Sequence, residues 1–383
     1  MSVACQQLFD RHKIPLATST LSLYLEFDLT DVPDHASLRA KDHQAACDEA
    51  CRVSGLRPPS VVVARALTTH KAGDIEEAHS LPYYSDPWLT DPAHEIRIEF
   101  LYSLSSPRLT IRVLNELSKC DGVVALRTAL HTLEALGGGP IGGGAPFKTN
   151  PPFRFGVRHL LNLLRTIVPC VVASLWPFSR AVVSADELGA PTTMSGVRAY
   201  YRQARPPLAR FRLYRSPTAG ARAYKELISV LEIWKQRMHW RGFFTLQNMS
   251  RLGSSPAVAP AVVPNSRDLL NIETRYRHIF IPPGFPPSGQ TWTSMNYLHA
   301  KVLFVNNYGI HDVHTKARAT AFLWDWIGVA AHVAGTGCIT VNGQFLVWAR
   351  GTPAGLEKGQ DLFQAALGGP PHLELEQYKG PRQ

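Results

Sequence analysis

A lysine and a threonine follow two glycine triplets in residues 136–152, LGGGPIGGGAPFKTNPP. A phosphate-binding loop needs G-x-x-x-x-G-K-[ST] between a strand and a helix, so that backbone N–H groups face the phosphates. Phe147 stands where the second glycine must be, and Asn150-Pro151-Pro152 follows, which cannot begin a helix cleanly. The segment therefore predicts a flexible loop between domains and not a nucleotide site.

His299 and Lys301 form a second candidate, in NYLHAKVLFVNN, residues 296–307. The pair and the apolar run after it resemble the HxK(x)4D motif of the phospholipase D family. That resemblance implies a histidine nucleophile for a phosphodiester and a lysine that holds the phosphate. However, Asn306 occupies the Asp position, and the similar start at His314 has Ala321 at its Asp position. We therefore expect a strand leading into a loop, without hydrolytic activity.

Metal-ligating residue types occur in two places. His43, Cys47 and Cys51 are spaced four apart, so a helix would place them on one face. Structural zinc sites usually join ligand pairs from separate segments, so core packing is the expectation here. His311 and His314 have no evident carboxylate cluster beside them. We predict no metal and no cofactor, and free thiols for the six cysteines, which include no C-x-x-C pair.

Asp325 lies inside the apolar run AFLWDWIGVAA. A carboxylate in such a run must be paired or hydrogen-bonded, and a structural role is expected for it rather than a catalytic one. The sequence contains no G-x-S-x-G, H-E-x-x-H or dinucleotide fingerprint. These observations predict that the chain has no catalytic residues and is not an enzyme.

The positive charge is concentrated in one segment. Residues 198–251 hold ten Arg and two Lys against Glu226 and Glu232, which accounts for the whole net charge of +10. Nine aromatic residues lie in the same stretch. Arg binds phosphates bidentately and aromatic rings stack on unpaired bases, so the segment predicts a nucleic-acid surface without sequence specificity. The predicted RNA-binding residues are Arg198, Arg202, Arg205, Arg210, Arg212, Arg215, Arg222, Lys225, Lys235, Arg237, Arg241 and Arg251.

The apolar periodicity predicts the elements that would carry these residues. Strands are expected at 20–29, 59–67 and 94–104, and a β-hairpin at 338–349 with Asn342-Gly343 at its turn. Helices are expected at 35–53, 106–119, 123–136, 154–168, 219–240 and 315–334. Residues 160–178 are apolar, but Arg165 and a central Pro169 argue against a membrane span.

Composition shifts divide the chain into six parts. They are a mixed α/β part at 1–136, a Gly/Pro-rich loop at 137–153, a helical basic region at 154–252, a Pro-rich linker or arm at 253–266, a C-terminal α/β part at 267–350, and a tail or arm at 351–383.

The charged fraction of 18% is low, which is typical of a subunit that buries its flanks in an assembly. With the Pro-rich arms and the basic segment, the chain resembles capsid subunits of small double-stranded RNA viruses of the partitivirus type. The resemblance implies a helix-rich α+β fold, a capsid-type subunit with extended arms that assembles into a closed shell around RNA. It also implies that the protein binds itself and RNA, that it binds neither membrane nor small-molecule substrate, and that it is located in the virion and the host cytoplasm. The alternatives are an RNA-coating nucleoprotein that forms helical filaments and a phosphodiesterase-like enzyme that uses His299 and Lys301.

Overall fold

The computed structural model describes residues 20–54, 61–66, 74–80, 96–116, 122–141, 157, 209–217, 220–240, 242–248, 258–263, 265–267, 269–270, 302–326 and 334–376. In chain order the elements are β1 Thr20–Asp28, α1 His35–Leu38, α2 His43–Ser54, β2 Val61–Ala66, α3 Ile75–Ser80, β3 Ile96–Tyr102, β4 Arg108–Glu116, α4 Gly122–Gly137, β5 Arg210–Ser216, α5 Gly220–Arg237, β6 Gly242–Asn248, β7 Val258–Val263, β8 Val302–His311, β9 Arg318–Trp326, β10 Gly335–Val341, β11 Gln344–Gly351, α6 Pro353–Glu357, α7 Gln360–Leu367 and β12 Leu373–Glu376.

Sheet A has five strands in the order β2-β3-β4-β1-β9, so β1 lies between β4 and β9 and is antiparallel to both. Its residues alternate: the side chains of Leu23 and Leu25 lie on one face and that of Tyr24 on the other. Helices α2 and α4 pack against each other and against this sheet. His43 of α2 contacts the ring of Phe100, which shares its face with Leu25.

Sheet B has seven strands in the order β12-β5-β11-β10-β8-β6-β7. Trp234 of α5 and Phe363 of α7 pack edge to face with ring centroids 5.2 Å apart, and both belong to a buried cluster on this sheet.

The predicted hairpin is confirmed as β10 and β11. Asn342 and Gly343 at its turn have φ values of 47° and 77°, the left-handed conformations that a two-residue hairpin turn requires.

The two sheets pack against each other through β9. Trp324 of β9 stacks on Phe304 of β8 with ring centroids 4.5 Å apart, and it lies 5.4 Å from Trp348 of β11. Gly337 makes room for Trp348, because a Cβ at that position would lie 2.5 Å from the indole nitrogen. Residues of both sheets therefore share one buried interior.

The strands predicted at 20–29, 59–67 and 94–104 are confirmed as β1, β2 and β3, and the helices predicted at 123–136 and 219–240 as α4 and α5. The helices predicted at 106–119 and 315–334 are wrong, since these residues contain β4 and β9. Strand β9 is buried on both faces and its apolar run AFLW lacks a period of 2, whereas Arg108-Leu109-Thr110-Ile111-Arg112-Val113 of β4 does alternate and that signal was overlooked. The helix predicted at 154–168 lies outside the described residues apart from residue 157, as does the apolar segment 160–178.

The prediction of a helix-rich, capsid-type subunit with extended arms is wrong, because the described residues form two extensive β-sheets. Part of the predicted Pro-rich arm, Val258–Val263, is strand β7 and pairs with β6. Part of the predicted tail forms α6, α7 and β12, and β12 pairs with β5. The domain boundaries stay a prediction. No helix within the described ranges is long and apolar enough to span a membrane.

Candidate active site

One face of sheet A is polar although it is buried. Ser22, Tyr24 and Glu26 alternate along β1 with apolar residues, and all three are at most 7% exposed. Across β4, Tyr24 lies opposite Arg112, which in turn lies opposite Glu99 of β3. Groups that usually face water therefore form a buried row across three strands.

Helix α3 covers this face and contributes a histidine. His79 Nε2 lies 3.1 Å from Asp325 Oδ2 on β9, and the two side chains are only 5% and 2% exposed. Asp325 lies directly opposite Ser22 in the β1–β9 pair. The expected pairing of Asp325 is thus confirmed, and its partner is a group that can carry a proton.

Glu26 fixes the position of helix α3. Its carboxylate accepts a hydrogen bond from the backbone N–H of Ile75 at 3.0 Å, at the N-terminus of the helix, where N–H groups lack partners within the helix. It also accepts one from Thr320 Oγ1 at 2.6 Å, on β9. Glu26 therefore ties α3 to the two strands that carry Tyr24 and Asp325.

Aromatic rings from both sheets hold the imidazole of His79. Tyr24 packs edge to face against it at 5.4 Å between centroids, and Phe211 of β5 does so at 5.8 Å. Phe211 in turn contacts Trp348 at 6.3 Å. Because Tyr24 belongs to sheet A and Phe211 to sheet B, the histidine lies at the junction between the two sheets.

Tyr24 is uncharged in this environment. Burial raises the pKa of its phenol above the ordinary value, and the neighbouring Arg112 and Ser22 lower it by less. Ser22 and Arg112 lie close to Tyr24, yet neither reaches its hydroxyl with the geometry of a normal hydrogen bond.

Arg112 Nε is paired with Glu99, and Glu99 also accepts from Arg97 Nε at 2.8 Å. The Arg112 cation at the end of the row is therefore paired with a carboxylate inside the sheet.

The candidate metal ligands lie apart from this site. Cys47 Sγ and Cys51 Sγ are 3.9 Å apart and buried, while His43 bonds to Tyr102 Oη and to the carbonyl of Lys41. Within the described part of the chain, no group of three His, Cys, Asp or Glu side chains could hold a metal ion. The three described cysteines, Cys47, Cys51 and Cys338, are free thiols, as predicted.

His311 is buried at the end of β8, where burial lowers its pKa to about 4. Its Nε2 lies 2.8 Å from the carbonyl oxygen of Tyr308, and the backbone N–H of His314 donates to Glu134 Oε1 at 2.8 Å. His299 and Lys301 lie outside the described residues.

Of the predicted RNA-binding residues, Arg198, Arg202, Arg205, Arg241 and Arg251 lie outside the described ranges. The residues Arg210, Arg212, Arg215, Arg222, Lys235 and Arg237 each form an ion pair or hydrogen bond within the fold. The single side chain of Arg212 donates hydrogen bonds to Glu357, Gln360 and Glu374. Lys225 lies on α5. RNA binding by the set stays a prediction.

No motif or spacing in the sequence singled out His79, Tyr24 or Ser22. Tyr24 and Ser22 lie in the predicted strand 20–29, and the alternation Ser-x-Tyr-x-Glu gave a signal of a polar face there. Nothing in the sequence associates His79 with Asp325, because the two residues are 246 positions apart.

The fold is similar to several solved structures, although no protein-family model and no curated protein matches the sequence. The condensation domain of Monacolin K polyketide synthase MokA is 8% identical with a TM-score of 0.47, over 96% of this chain and 95% of that one. Wax ester synthase/diacylglycerol acyltransferase from Marinobacter aquaeolei VT8 is 11% identical with a TM-score of 0.43, over 96% and 98%. F. graminearum TRI101, complexed with coenzyme A and T-2 mycotoxin, is 12% identical with a TM-score of 0.42, over 91% and 95%.

These comparisons correct the functional predictions. The structures found are condensation and acyl-transfer proteins, so the resemblance to a coat protein is wrong, and the nucleoprotein and phosphodiesterase alternatives find no support. The predictions that the chain is not an enzyme, that it forms a large homo-oligomer and that it takes no small-molecule substrate run against these structures, of which one is named a synthase and acyltransferase and another is complexed with coenzyme A and a mycotoxin, and they are not carried further. The physical reason for the wrong coat-protein interpretation is that the Arg-rich segment and the Pro-rich segment, from which it was inferred, contain strands of sheet B.

Proposed function

We propose that the chain is an enzyme that transfers an acyl group from a thioester to a nucleophile deprotonated by His79. The observation that carries this proposal is the buried pair of His79 Nε2 and Asp325 Oδ2, 3.1 Å apart. The geometry of this pair supports a general base, and acyl transfer is proposed as its reaction by analogy with the activity named for the wax ester synthase/diacylglycerol acyltransferase, which is similar in fold alone.

The pair has the arrangement of a general base and the residue that orients it. With Nε2–H donated to Asp325, Nδ1 of His79 is the nitrogen that can accept a proton. No residue in the described ranges forms a hydrogen bond with Nδ1. When the base is protonated, the Asp325 carboxylate stabilises the imidazolium.

A single base suffices if the acyl donor is a thioester. The acceptor loses its proton to Nδ1 of His79 while its heteroatom forms a bond to the acyl carbonyl carbon. The carbon–sulfur bond then breaks and the thiolate leaves. A thiol has a pKa of about 8.5, so its thiolate leaves without a strong acid, and the proton on His79 then passes to the thiolate.

Burial favours this chemistry in two ways. The side chains of His79 and Asp325 are 5% and 2% exposed, so competing water is largely excluded. Charge interactions are also stronger in a low-dielectric interior than in water, which strengthens the effect of Asp325 on the protonated base. Phe211 from sheet B and Tyr24 from sheet A prevent the ring from rotating away.

The test compares His79→Gln with a matched control, His43→Gln. Both histidines are buried and hydrogen-bonded, but His43 lies on α2 and contacts Phe100 and Tyr102. Thiol release from octanoyl coenzyme A is followed with alcohols and amines as acceptors. We expect His79→Gln to lower kcat by roughly 100- to 10,000-fold and His43→Gln to leave it within a few-fold. Equal kcat values for wild type and a folded His79→Gln variant, or no turnover by the wild type with any acceptor, would contradict the proposal.

A further inference from the structure

Three buried polar atoms next to His79 have no hydrogen-bond partner in the described part of the chain. They are Ser22 Oγ, Tyr24 Oη and Asp325 Oδ1. The three residues are 0%, 0% and 1% exposed. The large majority of buried side-chain polar atoms in folded proteins are paired, so three unpaired atoms on neighbouring residues need an explanation.

The three atoms lie on the same face of sheet A. Ser22 and Asp325 are directly opposite each other in the β1–β9 register, where facing Cβ atoms are about 4.5–5.5 Å apart. Tyr24 follows two residues later on the same face, and its ring contacts His79. The other oxygen of Asp325 is already bonded to His79 Nε2. The unpaired atoms thus share one face of sheet A with the contacts of the proposed base.

The donors and acceptors at this place define what would satisfy them. Asp325 Oδ1 only accepts, whereas Ser22 Oγ and Tyr24 Oη each have a hydrogen to donate. A chemical group that binds here must therefore both accept and donate hydrogen bonds. A hydroxyl group does so, with one hydrogen and two lone pairs.

Other groups fit this place poorly. An ammonium group donates but cannot accept, so the Tyr24 O–H would stay unpaired, and the guanidinium of Arg112 acts on the same phenol. A neutral amine has a single lone pair, so it accepts from only one of the Ser22 and Tyr24 hydroxyls and leaves the other unpaired. A carboxylate or phosphate cannot donate to Asp325 Oδ1, and it would place a second negative charge against a buried carboxylate. A neutral hydroxyl leaves no polar atom unsatisfied.

We propose that Ser22, Tyr24 and Asp325 bind the hydroxyl group of the acceptor substrate, so that the enzyme acylates alcohols in preference to amines. This inference rests on the proposed function, because it places the hydroxyl beside the base His79. In the bound state Tyr24 donates to the hydroxyl oxygen and the hydroxyl donates to Asp325 Oδ1. In the reaction the hydroxyl hydrogen turns from Asp325 to Nδ1 of His79, which takes it as the oxygen bonds to the acyl carbon. The product is an ester of the acceptor and a free thiol.

The test uses Tyr24→Phe and Ser22→Ala, each of which removes one hydroxyl oxygen. Tyr214→Phe is the matched control. Tyr214 lies on β5 of sheet B, is buried and stacks on Phe363 of α7. Octanoyl coenzyme A is combined with 1-octanol or cyclohexanol, and in parallel with 1-octylamine or cyclohexylamine. The ester, the amide and the free octanoate from hydrolysis are quantified separately.

We expect the wild type to form ester in large excess over amide, and Tyr24→Phe and Ser22→Ala to lower ester formation roughly 10- to 100-fold while Tyr214→Phe does not. Equal ester formation by the wild type and Tyr24→Phe would overturn the inference. So would a wild type that forms amide as readily as ester, or one that releases only octanoate, because the group bound here would then be water.

A binding measurement separates failure of the inference from failure of the proposed function. The thermal midpoint is recorded with and without 1-octanol and cyclohexanol. We expect at least one alcohol to stabilise the wild type and His79→Gln alike, and Tyr24→Phe and Ser22→Ala less. If the alcohol shift is present but His79→Gln remains active, the proposed function fails and the hydroxyl site stands. If His79→Gln is inactive and no alcohol shift depends on Tyr24 or Ser22, the inference alone fails.

Discussion

His79 Nε2 on helix α3 and Asp325 Oδ2 on strand β9 lie 3.1 Å apart although 246 residues separate them in the chain. The contact forms because β1 brings its two neighbours together: it pairs with β9 along its length, and its Glu26 holds the start of α3. Both side chains are almost fully buried. A pair of this kind is costly to bury, so it needs either a structural or a chemical justification. A double-mutant cycle in kcat distinguishes a structural pair from a catalytic one.

The unpaired hydroxyl of Tyr24 predicts an unusual effect on stability. Because this oxygen makes no normal hydrogen bond in the free protein, Tyr24→Phe should leave the free energy of unfolding unchanged or raise it by up to about 1 kcal/mol. Tyr102 is the contrast, since its hydroxyl lies 3.0 Å from His43 Nε2, and Tyr102→Phe should lower that free energy by about 1 kcal/mol. Urea unfolding of both variants measures the difference. A Tyr24→Phe variant less stable than Tyr102→Phe would show that the Tyr24 hydroxyl is satisfied within the fold.

Arg212 is predicted to hold the C-terminal elements on sheet B. From β5 it reaches Glu357 of α6, Gln360 of α7 and Glu374 of β12. Its side chain is 9% exposed, but Glu357 and Glu374 are 61% and 45% exposed, which reduces the strength of the ion pairs. Arg212→Ala should therefore lower the free energy of unfolding by about 1–2 kcal/mol.

Arg222 provides the control for Arg212. It is 82% exposed and pairs with Glu226 one turn along the same helix, so Arg222→Ala should cost less than about 0.5 kcal/mol. Urea unfolding in low and high salt compares the two variants. Similar losses for both would mean that the contacts of Arg212 add nothing beyond an exposed pair.

His311 should make stability fall as the solution becomes acidic. Burial lowers its folded-state pKa to about 4, with the charges of Arg127 and His131 acting in the same direction and the Tyr308 carbonyl and Asp312 opposing them. An unfolded histidine takes up a proton near pH 6.5, so between pH 6.5 and 4 the unfolded state binds more protons. The contribution of His311 is thus present above pH 6.5 and is lost as the pH falls toward 4, by up to roughly 3 kcal/mol.

The variant that tests this pH effect is His311→Gln, which keeps a hydrogen-bond donor for the Tyr308 carbonyl. Unfolding free energies are measured from pH 7 to pH 4 for both proteins. The difference between wild type and variant should shrink as the pH falls. A difference that stays constant with pH would show that His311 does not titrate as its burial implies.

The sequence predicts the elements with clear periodicity and fails for those buried on both faces. The alternation in β1 and the Asn342-Gly343 turn between β10 and β11 suffice to place a strand and a hairpin. In β9 the apolar run continues on both faces, because Trp324 on one face packs on Phe304 of sheet B and Asp325 on the other face contacts His79 of α3. Such a run has neither a period of 2 nor one of 3.6, and its pairing partners alone determine that it is a strand.

The candidate site depends on contacts that no local pattern encodes. The pairing of Asp325 was predictable, since a carboxylate in an apolar run must be satisfied. The identity of its partner was not, because it depends on the strand order of sheet A. The interpretation of the Arg-rich segment as part of a coat protein was wrong for a related reason: Arg212 and Arg237 bond to Glu and Asp residues more than a hundred positions away. Net charge in one stretch therefore did not measure the charge on the surface.

The central claim, that His79 and Asp325 act as one catalytic unit, is tested most directly by a double-mutant cycle in kcat. His79→Gln, Asp325→Asn and the double variant are assayed for thiol release from octanoyl coenzyme A with the preferred acceptor. Residues that act as a unit are strongly non-additive, so we expect the double variant to be about as slow as His79→Gln alone, although each single change lowers kcat by roughly 100-fold or more. Folded variants whose kcat values equal that of the wild type, or losses that simply multiply in the double variant, would contradict the account.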